Sequence, residues 1–255
     1  MKKTGNSVRG IVLAGGEGKR LRPLSYYFQK CMIPIGNRQK PLLEYIIRLL
    51  RYHGITDILL LAGYKHEQIV NYFNSGKRFG VKITCELDNP KLGGTGGSLV
   101  NIYRKGLIGQ GETLFIYYGD IISDIDLTAM LKCHRESGAV ATLALSKGYQ
   151  VSVGVAEIKG EDVVGWVEKP TLEINVGAGI LILNSSALQE LEELSNCHAE
   201  LDIMSHLIPR LIEKGAIVHA YLTDAFWYDV GSAEHFEKLD NTVIEKCLEY
   251  LLRSD

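Results

Sequence analysis

No paired-cysteine motif occurs in this sequence. Its five cysteines, at 31, 85, 133, 197 and 247, are odd in number and never spaced as CxxC. That argues against a disulfide framework and a structural zinc site, and it fits a reducing compartment. Cys133-His134 and Cys197-His198 are chain neighbours whose side chains point different ways, so both pairs read as structural. Excess charge is missing as well. A net charge of −2 gives no bulk attraction to nucleic acid or to an anionic membrane. No apolar run reaches the roughly 18 residues that cross a bilayer, and residues 1–9 lack the apolar core of a secretion signal. A cytoplasmic protein with neither nucleic-acid nor membrane partners is expected. Any phosphate site must therefore be local.

What is present suits one large α/β domain or two fused lobes, since 46% of 255 residues are hydrophobic. Short β-branched runs alternate with helical patterns. Strands are expected at 10–14, 57–62, 82–86, 113–118, 140–145, 153–158, 163–168, 178–183, 217–221 and 226–230. Helices are expected at 41–53, 67–73, 97–104, 127–137, 187–194, 204–214 and 233–252. The alternation in the first half predicts a mainly parallel sheet. The strand-rich stretch 140–185 predicts a mixed sheet with a hairpin-like excursion. No linker, internal repeat or hexapeptide array is visible. The apolar stripe Phe236, Leu239, Val243, Ile244, Cys247, Leu248 and Leu251 is expected to pack on its own body, though a homo-oligomer contact is the alternative.

The first strand runs into Leu13-Ala14-Gly15-Gly16-Glu17-Gly18-Lys19-Arg20-Leu21-Arg22. Its glycines let backbone N–H groups converge on phosphate oxygens, with Lys19, Arg20 and Arg22 adding positive charge. A Walker loop needs glycine at 13 and Ser or Thr at 20, where Leu13 and Arg20 stand. A dinucleotide fingerprint from Gly16 needs glycine at 21, where Leu21 stands, which also disfavours a dehydrogenase. Two carboxylates, Asp120 after Tyr117-Tyr118-Gly119 and Asp229 after Phe226-Trp227-Tyr228, end expected strands, where open α/β sheets bind ligands. Two hard oxygen donors plus triphosphate oxygens suit Mg²⁺. Asp124 and Asp126 read as caps for the helix at 127.

Lys30-Cys31-Met32-Ile33-Pro34-Ile35 follows the loop, with Lys30 ten residues after Arg20. Together with Lys40-Pro41-Leu42-Leu43-Glu44-Tyr45, these segments resemble the sugar-phosphate nucleotidyltransferase (NDP-sugar pyrophosphorylase) family, with its LAGGxGxRLxPLT, KPMxPI and KPLLEY motifs. The likeness extends over roughly residues 8 to 240. It implies a Rossmann-like three-layer α/β sandwich with a central, mainly parallel mixed sheet. It also implies a nucleotide-binding half at about 1–122, a sugar-binding half at about 123–232 and a C-terminal helix at about 233–252, within a single domain.

The resemblance further implies condensation of a nucleoside triphosphate with a sugar 1-phosphate, with Mg²⁺ on Asp120 and Asp229. Arg20 would neutralise the leaving pyrophosphate, Lys30 would contact nucleotide phosphates and Lys169 would hold the sugar's phosphate. Leu13, Ala14, Gly15, Gly16, Gly18 and Lys19 would cradle the nucleotide. Leu92-Gly93-Gly94-Thr95-Gly96 resembles the family's LGTAG base loop, so Gly94 and Thr95 would meet the base. The glutamine of thymidylyl enzymes is missing there, which leans toward guanylyl or uridylyl transfer onto a mannose- or glucose-type 1-phosphate. Gly154, Glu168, Lys169 and Gly177 match sugar-side segments. Cys31 replaces the family's proline, which is expected to loosen the turn carrying Lys30. Gly177 replaces an asparagine. Those two departures leave a rival reading open, a regulatory protein that binds a nucleotide sugar without catalysis.

Overall fold

The computed structural model describes residues 7–151 and 153–253; Met1–Asn6, part of the segment examined for a secretion signal, lies outside them. In chain order the strands are β1 (Val8–Ala14), β2 (Pro34–Ile35), β3 (Lys40–Pro41), β4 (Asp57–Ala62), β5 (Lys82–Leu87), β6 (Thr113–Tyr118), β7 (Ile121–Ser123), β8 (Ala141–Gln150), β9 (Val155–Lys159), β10 (Asp162–Val167), β11 (Thr171–Asn184), β12 (Val218–Thr223) and β13 (Trp227–Asp229). The α-helices are α1 (Leu42–Tyr52), α2 (His66–Phe73), α3 (Gly94–Arg104), α4 (Leu127–Ser137), α5 (Leu188–Leu194), α6 (Ile208–Glu213), α7 (Ala233–Lys238) and α8 (Asn241–Leu252).

Seven strands form the main sheet in the order β12-β8-β11-β6-β1-β4-β5. The pairs β1–β4, β1–β6, β4–β5 and β8–β12 are parallel. Only β11 runs against its neighbours, β6 and β8. The sheet is thus mainly parallel and mixed, as the alternation of patterns predicts.

Period-two alternation along β1 explains the three layers. Val12 and Ala14 face a core shared with α1, α2, α4 and α8, while Ile11 and Leu13 face one shared with α3, α5 and α6. All four side chains are buried, as a central parallel strand covered on both faces requires. Burying each large aliphatic side chain stabilises the fold by about 1.5–3 kcal/mol. Helix α4 keeps the bounds the sequence predicts because both ends are marked. Asp126 accepts from Ala129 N–H at its start, and Gly138 adopts φ 63° at its end. Asp124 does not cap it; one of its carboxylate oxygens is buried without a partner.

Three local features differ from the sequence expectation. The helix expected at 233–252 is two helices. Leu239 is extended, and Asp240 accepts from Thr242 N–H to start α8 afresh, since an Asp side chain competes for backbone donors. The apolar stripe then divides. Ile244, Leu248 and Leu251 are buried in the core shared with α1, as own-body packing requires. The helix expected at 204–214 opens as a wider turn at Ile203–Leu207, capped by Asp202, before α6. Strands β8 and β11 run well past their expected ends, and β9 and β10 form an antiparallel ribbon beyond them. On that ribbon Ile158, Val163 and Trp166 are exposed.

Candidate active site

The site lies where β1 and β6, adjacent and parallel, release their chains on one edge of the sheet. Gly119 N–H donates to Leu13 O at 3.0 Å, holding the two exits together. After β1, the N–H groups of Gly16, Glu17 and Gly18 donate to no acceptor among the described residues. Gly18 turns this loop at φ 64°, a conformation that disfavours a side chain. Lys19 is exposed and paired with Glu17 at 3.4 Å. Ala14 stays buried, and its carbonyl accepts from Gln29 Nε2 at 2.6 Å.

A short helical turn, Lys30–Met32, presents Lys30 to the loop. Lys30 Nζ lies 2.7 Å from Asp120 Oδ2. Burial pulls the ammonium's pKa down, but Asp120, with weaker help from Asp229, outweighs this and leaves it raised. The turn is not loosened by Cys31. Cys31 N–H donates to Gln29 Oε1 at 2.6 Å, a bond proline has no hydrogen to make. The thiol itself is fully buried, and burial pushes its pKa up to about 12. Gln29 is therefore a brace that the sequence did not single out; its own N–H donates to Gln68 Oε1.

Strand β13 pairs with β7 so that Asp229 faces Ile121, one residue from Asp120, and Val230 N–H donates to Asp120 O at 2.8 Å. Gly231 marks where the charges meet. A Cβ built there would fall 2.6 Å from Asp229 Oδ1, 3.3 Å from Asp120 Oδ2 and 3.3 Å from Arg20 Nη2. Gly231 N–H donates to Asp229 Oδ1 at 2.6 Å. Arg20, Lys30, Asp120 and the 15–20 loop line one open cavity of about 540 Å³. It shares Gly15, Gly16, Glu17, Lys30 and Gly94 with a second cavity of about 490 Å³ that also holds Leu13 and Thr95.

The second cavity is walled by the loop that opens α3. Gly94 has φ 80°, and a Cβ built on it would collide with the Leu201 backbone carbonyl. Thr95 Oγ1 donates to Asp202 Oδ2 at 2.8 Å and accepts from Ile203 N–H at 2.9 Å. That hydroxyl's only hydrogen thus ties the loop to the chain at 201–203, leaving one lone pair for anything else.

The sugar-side residues stand elsewhere. Gly154, Glu168, Lys169 and Gly177 line neither cavity. Lys169 is exposed, with φ 48°. Gly154, Trp166 and Glu168 cluster on the ribbon, where Trp166 Nε1 donates to Glu168 Oε2 at 3.4 Å. Gly177 has no atom within 4 Å of a Cβ built on it.

Residues 9–246 match the protein family described as nucleotidyl transferase. A UTP–glucose-1-phosphate uridylyltransferase from Synechocystis is 30% identical over 246 residues, covering 90% of this chain and 61% of that protein. A D-glycero-alpha-D-manno-heptose 1-phosphate guanylyltransferase from Aneurinibacillus thermoaerophilus is 33% identical over 235 residues, covering 91% and 96%. The chain spans 61–63% of the length of several of these curated relatives. Among solved structures, a Bacillus anthracis protein described as a glucose-1-phosphate thymidylyltransferase superposes with a TM-score of 0.75 at 24% identity, covering 91% of this chain and 93% of that one, and shares the fold. With the glycine loop, Lys30 and both aspartates gathered at one sheet edge, and with a family match over most of its length, this chain belongs to the nucleotidyl transferase family.

Proposed function

We propose that the protein condenses a nucleoside triphosphate with a sugar 1-phosphate, giving a nucleotide sugar and pyrophosphate. The observation that carries this is the meeting of Arg20, Asp120 and Asp229 around Gly231, with Lys30 on Asp120. In the reaction, a phosphate oxygen of the sugar 1-phosphate attacks the α-phosphorus. The new P–O bond forms as the bond to the β-phosphate oxygen breaks, and pyrophosphate leaves with that electron pair. The attacking group is already anionic, so no strong base is required. The barrier comes from bringing polyanions together, and fixed cations and N–H dipoles lower it.

The free N–H groups of the 15–20 loop and Lys30 suit the triphosphate, and Arg20 suits the departing pyrophosphate. Asp120 and Asp229 are hard oxygen donors flanking one point, which fits Mg²⁺. When bound, that ion would neutralise phosphate charge. The halves at about 1–122 and 123–232 are assigned to nucleotide and sugar. On the sugar side, Glu168 and Lys169 on the ribbon would meet the sugar and its phosphate, and the open space at Gly177 suits a bulky sugar. Guanylyl transfer is favoured over uridylyl transfer by the heptose 1-phosphate guanylyltransferase, a relative matched along 96% of its length. No helix among the described residues is long and apolar enough to cross a membrane, which suits a cytoplasmic site of action.

Pyrophosphate release tests this. The protein is mixed with Mg²⁺, each common nucleoside triphosphate and a panel of hexose and heptose 1-phosphates. Release with at least one pair is expected. Silence across the panel would overturn the catalytic reading and favour a nucleotide-sugar sensor.

A further inference from the structure

Among the described residues, three carboxylates line the phosphate cavity: Glu17, Asp120 and Glu200. Glu17 is paired with Lys19 and Asp120 with Lys30. The Glu200 side chain has no partner among the described residues, and no motif in the sequence marks it. Its backbone is nonetheless held. Gly93 N–H donates to Ala199 O at 3.2 Å and Leu201 N–H donates to Gly93 O at 2.9 Å, so residue 200 is bridged on both sides to the loop that opens α3. The Glu200 Cγ lies so close to Gly93 that a Cβ there would fall 3.0 Å from it. Gly93 lines the second cavity and Glu200 the phosphate cavity. The side chain therefore runs along the junction of the two.

A lone carboxylate beside a polyphosphate is repelled by it unless donors meet the anion. Metal binding does not explain Glu200. No three His, Cys, Asp or Glu side chains gather as a metal site among the described residues, so Glu200 is not a third donor beside Asp120 and Asp229. A pair of hydroxyls does explain it. A carboxylate offers two acceptors and no donor, and a vicinal diol offers two adjacent donors. In a nucleoside triphosphate the ribose joins base to phosphates. The phosphates suit the 15–20 loop and Lys30, and the apolar wall of the second cavity, with Leu13, Leu61 and Leu92, suits a base. The ribose then falls at the residues both cavities share, Gly15, Gly16, Lys30 and Gly94. Gly94 directly follows the glycine on which Glu200 packs.

On the reading that this site takes a nucleoside triphosphate, we propose that Glu200 binds the ribose, accepting from its 2′- and 3′-hydroxyls, and makes the site select ribonucleotides over deoxyribonucleotides. A nucleotide lacking either hydroxyl leaves one carboxylate oxygen unmatched beside the ligand's own phosphates. An unmatched polar group of this kind is what rejects an analogue. The segment that carries Glu200 is pinned on its far side as well. Leu201 O accepts from Gly96 N–H at 2.7 Å, and Asp202 holds the Thr95 hydroxyl. Little backbone ordering is left for the ligand to impose.

A sugar 1-phosphate also carries adjacent hydroxyls, so the experiment separates the two sources. Binding of GTP and UTP, and of the 2′-deoxy and 3′-deoxy form of each, is measured by calorimetry with Mg²⁺ and without sugar phosphate. The proteins are the wild type, Glu200→Gln and Glu200→Ala, and the KM for sugar 1-phosphate is measured alongside in turnover. For the wild type, the ribose form is expected to bind about tenfold or more tightly than either deoxy form. In Glu200→Ala that ratio should fall to within about twofold, because the ribose form weakens and the deoxy forms do not. Glu200→Gln keeps one acceptor oxygen and should fall between. Thermal unfolding confirms that the variants are folded. The ratio of ribose to deoxy form is a readout that a merely structural role would not move. A wild type that binds ribose and deoxy forms equally, a uniform change across all forms in Glu200→Ala, or an effect confined to the sugar 1-phosphate KM would overturn the assignment, as would a wild type that binds none of them. Ribose selectivity in binding without pyrophosphate release would uphold Glu200 and overturn only the catalytic reading. Pyrophosphate release that uses ribose and deoxy forms equally would do the reverse.

Discussion

Lys30 Nζ sits 2.7 Å from Asp120 Oδ2 across 90 positions of sequence. Side-chain exposures of 18% and 14% leave the pair mostly out of water. In that setting each charge needs the other, and removing one strands its partner. The pair also joins the Lys30–Met32 turn to the turn after β6, closing the candidate site from two sides.

The pH dependence of stability should carry its mark. Burial alone would lower the Lys30 pKa, but Asp120 wins and the folded value lies above the ordinary 10.5. A group whose pKa rises on folding contributes stability that is complete below its unfolded pKa and lost as pH climbs through the folded one. Urea unfolding from pH 8 to 11 should therefore show the wild type's advantage over Lys30→Met intact up to about pH 10, then shrinking. An advantage that fades between pH 8 and 9 would mean a depressed Lys30.

Gln29 should matter more than its neighbours. Its side chain accepts from Cys31 N–H and donates to the Ala14 carbonyl, all within a fully buried cluster. Gln29→Ala strands one donor and one acceptor, each at about 1–3 kcal/mol. Cys31→Pro strands only Gln29 Oε1 and should cost about 1–3 kcal/mol, whereas Cys31→Ala keeps the N–H and loses only sulfur packing. Chemical denaturation of the three variants checks the order. A Cys31→Pro protein as stable as Cys31→Ala would show that the brace is dispensable.

Thiol labelling gives an independent check on burial. Cys197 is exposed, while burial pushes the Cys31 pKa up to about 12. A thiol reagent at pH 8 should modify Cys197 within minutes and Cys31 only on unfolding. Rapid native modification of Cys31, located by peptide mapping, would contradict its full burial.

Divalent-ion dependence should track the two carboxylates. Chelation should stop turnover, and Asp229→Asn should raise the Mg²⁺ concentration needed for half-maximal rate by about tenfold or more. Titrating Mg²⁺ into both proteins measures this. An unchanged requirement would place the ion elsewhere.

Much of this architecture was legible because local and tertiary signals agree. Strands 57–62 and 113–118 and the helix at 127–137 match because apolar runs and caps mark their ends. The break at Asp240 was hidden, since the apolar stripe continues across it and only the cap's competition for backbone donors ends α7. Arg20, Lys30, Asp120 and Asp229 were visible from motif and spacing. Gln29 was not, because its role arises from contacts with Ala14 and Cys31 that no local pattern encodes. Lys169 shows the converse. Its motif is clear, yet it stands exposed in the bend between β10 and β11 and lines neither cavity.

The rate of pyrophosphate release by folded Asp120→Ala, measured against the wild type at saturating Mg²⁺, triphosphate and sugar 1-phosphate, is the most direct test of the charge cluster. Loss of this carboxylate should add roughly 3–4 kcal/mol to the barrier, a drop of about a hundred- to a thousandfold. A folded Asp120→Ala protein turning over near the wild-type rate would contradict the assignment of catalysis to this cleft.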